Sequence, residues 1–212
     1  MAWLLRFQIY GWWHAGSGAS LGGVADAAVL RSPEGLPWLP GRSVRGLVRE
    51  ALAEAEDLGH RAVPAGFTRW LCGDDFAASD SEDEAVTELR RRRFVTQAGH
   101  GVFDSAELPD DWRRWARSPG SAAMIAEMFE ILSSTAIADG AAQRHSLRSI
   151  EVAVPMTLTA GLHLRSSPIP PPGEVGAALA AALPLLRGLG AGRHRGLGRV
   201  QASVTAGEGA TP

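Results

Sequence analysis

Residues 188–198 read Gly-Leu-Gly-Ala-Gly-Arg-His-Arg-Gly-Leu-Gly and form the most specific stretch of the chain. Two Gly-Leu-Gly units enclose a basic tip formed by Arg193, His194 and Arg195. Glycine adopts backbone conformations that are closed to other residues and lets a ligand approach closely. Amides and cationic side chains can therefore face one anionic polymer here. The stretch is not a Walker loop, because it lacks the Gly-Lys-Ser/Thr ending. The alternative interpretation is a flexible connection between a helix and a strand.

A second stretch, residues 37–46, reads Pro-Trp-Leu-Pro-Gly-Arg-Ser-Val-Arg-Gly. The Pro-Gly turn delivers Arg42 and Ser43 to the start of a predicted helix, where free amides, a hydroxyl and a guanidinium can hold an anion. Arg45 and Arg49 continue this basic surface along the helix. A helix cap with solvated arginines explains the same residues, so the stretch alone leaves both interpretations open.

The hydrophobic pattern around these two stretches predicts strands and helices in mixed order. Apolar-polar alternation predicts strands over residues 5–9, 149–164 and 200–204, with a shorter one near 94–96. Helical spacing predicts helices over 42–55, 122–132 and 174–186. This order predicts an α+β fold with a ferredoxin-like sheet. We expect one domain over residues 1–212, with a variable, irregular insertion at about 60–120.

Composition limits the compartment and the class of protein. The 212 residues carry a net charge of -2, and every basic residue other than histidine is arginine. Arginine suits bidentate phosphate contacts, although a GC-rich genome also explains this usage. Cys72 is the only cysteine, which excludes an internal disulfide and favours a reducing cytoplasm. No apolar stretch approaches the ~20 residues that span a bilayer, and the amino terminus is not of the signal-peptide kind.

Seven short motifs occur in the order that is typical of the RAMP superfamily, to which the backbone subunits of type III CRISPR effectors belong. Residues 40–46 resemble the Pro-Gly-Ser-Ser-Leu-Lys-Gly element of these proteins, and residues 188–198 resemble their glycine-rich loop. The other matches are a His-x-Gly-x-Gly entry, an Asp-bearing loop, an Ile-Phe-Gly-like and a Phe-x-Asp-Ala-like element, and a segment that leads into a Glu-containing strand. They fall at residues 14–18, 23–31, 71–73, 103–106 and 138–151, respectively.

The resemblance implies the fold, the partners and the roles of individual residues. It implies an RNA-recognition-motif-like palm with an inserted thumb, which holds guide crRNA beside complementary target RNA and other effector subunits, including copies of itself. Base pairing would then supply sequence choice, as in other RNA-guided systems. The residues that match phosphate-holding or entry positions are His14, Arg42, Ser43, Arg45, Arg193, His194 and Arg195; Arg49, which continues the basic face of the same helix, completes the predicted RNA-binding set.

Asp26 matches the position at which active subunits carry the aspartate for target-RNA cleavage. Such a carboxylate can accept a proton from the ribose 2′-hydroxyl or hold a Mg²⁺ ion that polarises the phosphate. The resemblance therefore implies endoribonuclease activity within an assembled complex. A loop aspartate that caps a turn is the alternative for this residue.

Two other functions stay open. Related RAMP nucleases that process precursor crRNA without a metal use a histidine as general acid or base, and His14 or His100 could serve in that role. A catalytically inactive subunit that only coats RNA is the other possibility.

Overall fold

A computed structural model describes residues 2–73, 98–138, 140–166 and 170–207. Its elements in chain order are β1 (Ala2–Ile9), α1 (Gly41–Asp57), α2 (Phe67–Cys72), β2 (Gly101–Phe103), α3 (Asp110–Ala116), α4 (Ser121–Ala126), β3 (Phe129–Ser134), β4 (Ile137–Ala138), β5 (Ala141–Ala142), β6 (Arg148–Ala153), β7 (Thr157–Leu164), α5 (Val175–Ala182) and β8 (Val200–Ala206). Short 3-10 turns cover Leu183–Leu185 and Arg193–Arg195. The fold is α+β, which confirms the predicted class.

The main sheet is antiparallel and has the strand order β2-β7-β1-β8. In the central strand β1, Leu5, Phe7 and Ile9 are buried, whereas Arg6 is exposed, as the predicted alternation requires. Helix α1 packs beside α5 and buries the apolar stripe that runs from Val44 to Ala55. The two helices thus belong to the core together with the alternate residues of β1.

The strand order determines which loops become neighbours. Ile9, at the end of β1, pairs with Val200, at the start of β8. The chain segment after β1 therefore lies beside the glycine-rich stretch that precedes β8. Helix α1 begins at this same end of the sheet, because Leu39, just before the helix, pairs with Ala106, just after β2.

A long hairpin between the two halves of the sheet corrects one prediction. The helix predicted over 122–132 ends at Ala126, and Phe129–Ser134 is instead strand β3, paired with β6. Ile125, Phe129 and Leu132 have helical spacing, but the backbone from residue 129 onward finds its hydrogen-bond partners in a segment about twenty residues later. Strands β4 and β5 pair beyond this hairpin.

Smaller differences also have local causes. Strand 149–164 is divided into β6 and β7, with Pro155 between them. The helix predicted over 174–186 ends at Ala182 and continues as a 3-10 turn that contains Pro184, because proline has no amide hydrogen for the helical ladder.

Several predictions fall outside the described residues: the acidic segment 74–84, the strand near 94–96, Asp139 and part of the linker 168–172. The extent of the insertion at about 60–120, which includes residues 74–97, stays a prediction. None of the helices in the described ranges is both long and apolar enough to cross a membrane.

Candidate nucleic-acid interface

Three segments that are distant in sequence meet around one cavity of about 270 Å³. They are the loop after β1, the start of α1 and the glycine-rich stretch. The polar or glycine residues among those that line the cavity are His14, Gly16, Arg42, Ser43, Gly46 and Gly190. The structure therefore brings together His14, Arg42 and Ser43 from the predicted RNA-binding set.

The glycine-rich stretch is a closed loop whose base is held by its own backbone. The amide of Leu189 donates to the carbonyl of Gly198 (2.9 Å), and the Leu189 side chain is buried. Gly198 has a φ of +65°, and a Cβ there would lie 2.0 Å from the Leu189 carbonyl oxygen, so only glycine fits. The basic tip forms a 3-10 turn between Gly192 and Gly196. The loop thus presents Arg193, His194 and Arg195 on a defined backbone.

His14 joins this loop to the rest of the site. Its carbonyl accepts the amide of Ala191 (2.8 Å), and a Cβ at Gly190 would lie 2.3 Å from the same oxygen. The His14 ring is buried, and its Nδ1 lies 2.6 Å from the carbonyl oxygen of Glu151. Because a carbonyl only accepts, Nδ1 carries the hydrogen in this contact. In the neutral ring Nε2 is then a proton acceptor.

The start of α1 is held against the end of β2. Pro40 precedes the helix in an extended conformation, and a Cβ at Gly41 would lie 2.2 Å from the carbonyl oxygen of Phe103. The amides of Ser43 and Val44 donate to the Pro40 carbonyl (2.8 and 3.0 Å), so in this turn only the amides of Gly41 and Arg42 have no acceptor within the helix. Arg42 is exposed at this end, and the half-buried Ser43 lines the cavity beside it. This combination can bind an anion.

The remaining predicted RNA-binding cations lie outside this cavity. Arg45, His194 and Arg195 are exposed but do not line the 270 Å³ cavity. Nη1 of Arg193 donates to both carboxylate oxygens of Glu50 on α1, at 2.8 and 2.7 Å.

Arg49 has a structural contact of its own. Its Nη2 donates to the carbonyls of Cys72 (3.0 Å) and Gly73 (2.7 Å), at the carboxyl end of α2. Helix C-termini attract cations, so Arg49 holds α2 against α1. Its predicted role in RNA binding stays a prediction.

Asp26 lies on the loop that follows the predicted entry motif, exposed and next to the hairpin. Its amide donates to the carbonyl of Ser149 (2.7 Å), and its Oδ2 accepts the amide of Ser149 (2.8 Å). Within the described ranges no three side chains of the metal-ligating kind are clustered. Asp26 alone therefore offers one carboxylate oxygen that is not already bonded to Ser149, and an ion held there would need water and phosphate oxygens as further ligands.

Glu151 organises the site, although the sequence analysis gave it no function. The residue is 3% exposed; its Oε2 accepts the amide of Val29 (2.8 Å) and its Oε1 accepts Nη2 of Arg31 (2.6 Å). Its own amide donates to the carbonyl of Ala27 (2.9 Å). With the His14 contact, Glu151 ties both the entry loop and the Asp26 loop to β6. A carboxylate between Ile150 and Val152 in an apolar strand is the sequence signal that could have identified it.

His100 lies elsewhere. Its ring packs against Trp70 with the centroids 4.9 Å apart and the ring planes tilted by 39°, and its amide donates to the Trp70 carbonyl. It does not line the 270 Å³ cavity, so the structure separates it from His14.

Comparison with solved structures identifies proteins of similar fold. A chain of the type III-B Cmr-beta complex bound to cognate target RNA superposes with a TM-score of 0.63 at 12% identity, over 96% of this chain and 97% of that one. A chain of the apo Cmr-beta complex gives 0.61 at 14% identity, over 97% of both chains. A chain of a type IV-B CRISPR complex gives 0.50 at 17% identity, over 100% of this chain and 95% of that one. No protein-family model and no curated protein matches the sequence.

Proposed function

We propose that this chain is a guide-RNA-binding backbone subunit of a type III CRISPR ribonucleoprotein, a RAMP protein of the Csm/Cmr kind. The observation that carries the proposal is the convergence of the entry loop, the start of α1 and the glycine-rich loop around one cavity. These three segments carry three of the seven motifs on which the sequence resemblance rests. The fold shared with chains of Cmr-beta and type IV-B CRISPR complexes supports it independently.

We also propose that the fold consists of a ferredoxin-like palm and a thumb. Two β-α-β units, β1-α1-β2 and β7-α5-β8, and the order β2-β7-β1-β8 support the palm. The hairpin of β3 and β6, inserted between the two units, is the proposed thumb. The proposed partners are guide crRNA, complementary target RNA and other effector subunits, including copies of this chain, in a reducing cytoplasm.

Guide RNA would be held through its phosphates rather than its bases. The Arg42 and Ser43 side chains and the amides of Gly41 and Arg42 would contact one phosphate, and Arg195 and His194 would contact the next stretch of the strand. Each phosphate contact contributes about 0.7 to the salt dependence of binding by a single strand. The double variant Arg42→Gln/Arg195→Gln should flatten the plot of log K against log salt by about 1.4. The matched control is Arg61→Gln/Arg165→Gln, two exposed arginines that line neither this cavity nor its neighbours.

If the Arg42/Arg195 variant keeps the wild-type slope, the cavity and the loop tip are not the RNA interface. If the control flattens the slope as much, net charge rather than this site governs binding.

For cleavage we propose that Asp26 accepts the proton of the target ribose 2′-hydroxyl as the 2′-oxygen attacks the adjacent phosphorus. The bond from phosphorus to the 5′-oxygen then breaks, which leaves a 2′,3′-cyclic phosphate, and the departing 5′-oxygen takes a proton from water. The contacts with Ser149 support this role, because they fix the carboxylate and leave one oxygen for the substrate. A Mg²⁺ ion held by Asp26 would polarise the phosphate when bound. Chelation of divalent ions should then mimic the Asp26→Asn variant, and cleavage that survives chelation would exclude the metal role.

One observation favours a second function. His14 lines the proposed phosphate cavity with a proton-accepting Nε2, which suits a metal-independent nuclease that processes precursor crRNA. Incubation of the isolated chain with precursor RNA in chelator distinguishes the two. Cleavage of the precursor that is lost in the His14→Gln variant would favour the processing function. If the isolated chain does not cleave the precursor, the backbone-subunit proposal stands. A purely structural subunit is indicated if Asp26→Asn leaves target cleavage by the assembled complex unchanged.

A further inference from the structure

A second and larger cavity, of about 530 Å³, lies on another side of the glycine-rich loop. Three of its lining residues are arginines, and none is a carboxylate. They are Arg187, Arg193 and Arg199, and the remaining lining residues are Pro184, Leu186, Gly196, Leu197, Val200 and Gln201. Arg187 and Arg199 were not among the predicted RNA-binding residues. We call this space the outer cavity and the 270 Å³ one the inner cavity.

The backbone at the base of the loop places the arginines together. Gly188 pairs with Arg199, and the amide of Val200 donates to the carbonyl of Arg187 (3.2 Å). Arg187 and Arg199 therefore stand at the two ends of the loop, next to each other across this pair. The Arg193 side chain packs over Gly188, where a Cβ would lie 3.0 Å from its own Cβ. Closure of the loop thus fixes all three cations at one wall.

The charges at this wall are incompletely balanced. Glu50 pairs with Arg193, but in the described part of the chain no carboxylate pairs with Arg187 or Arg199. An adjacent cavity of about 370 Å³ shares Arg187 and Arg193 but contains Glu50 and Glu54, which repel anions. An anion is therefore directed to the outer cavity, on the side of Arg199. Positive charges held together with no counterion repel one another, and a bound anion relieves that repulsion.

We propose that the outer cavity binds phosphates of the same single-stranded RNA that the inner cavity holds, so that the strand crosses the glycine-rich loop. The inference rests on the proposed function and adds a second phosphate site to it. Arg187 and Arg199 bind the phosphate oxygens through their guanidinium forks. Gly196 lines the outer cavity with a φ of +89° and no atom within 4 Å of where a Cβ would stand, so the RNA backbone can approach the loop there.

The test compares Arg187→Gln/Arg199→Gln with the control Arg61→Gln/Arg165→Gln in the full chain. Both remove two exposed positive charges, but only the first pair lines the outer cavity. The probe is an unstructured oligouridine RNA, titrated over a range of salt. The outer-cavity variant should flatten the salt slope by about 1.4, which corresponds to two phosphate contacts on a single strand. Combined with Arg42→Gln/Arg195→Gln, it should flatten the slope by about twice that amount. Its thermal midpoint should equal or exceed that of the wild type, because mutual repulsion has been removed.

The outcomes separate the two proposals. If wild type binds oligouridine and the outer-cavity variant keeps its slope, the inference is wrong and the proposed function stands. If wild type does not bind RNA, both are wrong. A lowered thermal midpoint in the outer-cavity variant would make the arginines structural and overturn the inference. So would an unchanged slope with altered self-association in sedimentation, which would make the outer cavity a protein contact.

Discussion

The substitution Glu151→Gln tests whether one buried carboxylate holds the functional loops. In the wild type, Glu151 accepts from the amide of Val29 and from the guanidinium of Arg31, with only 3% of the residue exposed. Glutamine keeps the size but offers one oxygen and one NH₂ group, so a donor then faces a donor. One buried donor left unsatisfied costs about 1–3 kcal/mol. The lost ion pair adds only about 0–1 kcal/mol, because the Arg31 side chain is 37% exposed.

Two measurements follow from this magnitude. The free energy of unfolding in urea should fall by about 1–4 kcal/mol, and the thermal midpoint by about 2–4 °C for each kcal/mol. Hydrogen exchange at the Val29 amide should accelerate, whereas the amides of α1 should keep their protection relative to the global stability. Target cleavage should fall more than guide binding, because the Asp26 loop is attached to β6 through Glu151 and Ser149.

The matched control is Glu130→Gln, an exposed carboxylate on the neighbouring strand β3. It should change none of these quantities beyond about 0.5 kcal/mol. Wild-type exchange at Val29 in the Glu151→Gln variant, together with unchanged stability, would show that the carboxylate does not hold the loop.

Three further predictions concern single positions. Asp26→Asn should lower target cleavage by a factor on the order of 10² or more, while guide binding measured in parallel stays equal or tightens slightly; wild-type cleavage in a pure, assembled complex contradicts it. Gly190→Ala should impair folding and guide binding, because its Cβ would lie 2.3 Å from the His14 carbonyl oxygen. In Gly196→Ala the new Cβ meets no atom within 4 Å, so this variant should lose only the about 1–2 kcal/mol of stability that the left-handed backbone conformation costs. Equal urea midpoints for the two variants would refute this difference. The hydrogen bond from Arg117 is the main cause that lowers the pKa of Glu34 from 4.5 to about 2. Glu34 therefore stabilises the fold above pH 4.5, and this contribution is lost as the pH falls towards 2. Glu34→Gln should remove that part of the pH dependence of the free energy of unfolding in urea, and a pH dependence identical to that of the wild type would contradict the assignment.

Local patterns predicted three of the four strands of the main sheet, β1, β7 and β8, and the helices α1 and α5, whereas the short strand β2 was not predicted. Leu5, Phe7 and Ile9 alternate with polar residues, and the predicted strand is confirmed as β1. The stripe from Val44 to Ala55 gave α1 to within a few residues, because burial of that stripe and helical spacing agree. The glycine-rich stretch was expected between a helix and a strand, and it lies there.

Long-range pairing explains what the sequence did not reveal. The hairpin was missed because the helical spacing of Ile125, Phe129 and Leu132 carries no information on the pairing of residues 129–134 with 148–153. Side-chain partners were equally hidden: Arg49 caps α2 and Arg193 pairs with Glu50. Only the folded backbone places the ends of the glycine-rich loop, and hence Arg187 and Arg199, at one wall.

Sequencing the RNA that copurifies with the chain shows whether this subunit binds guide crRNA. The chain would be expressed with the other subunits of an effector and a repeat-spacer array, then purified through a tag on this chain in moderate salt. We expect RNA of guide length with a repeat-derived end, which is depleted in the Arg42→Gln/Arg195→Gln variant and retained in Arg61→Gln/Arg165→Gln. Recovery of a folded chain in the assembled complex with no RNA, or with random cellular fragments that the variant retains equally, would contradict it.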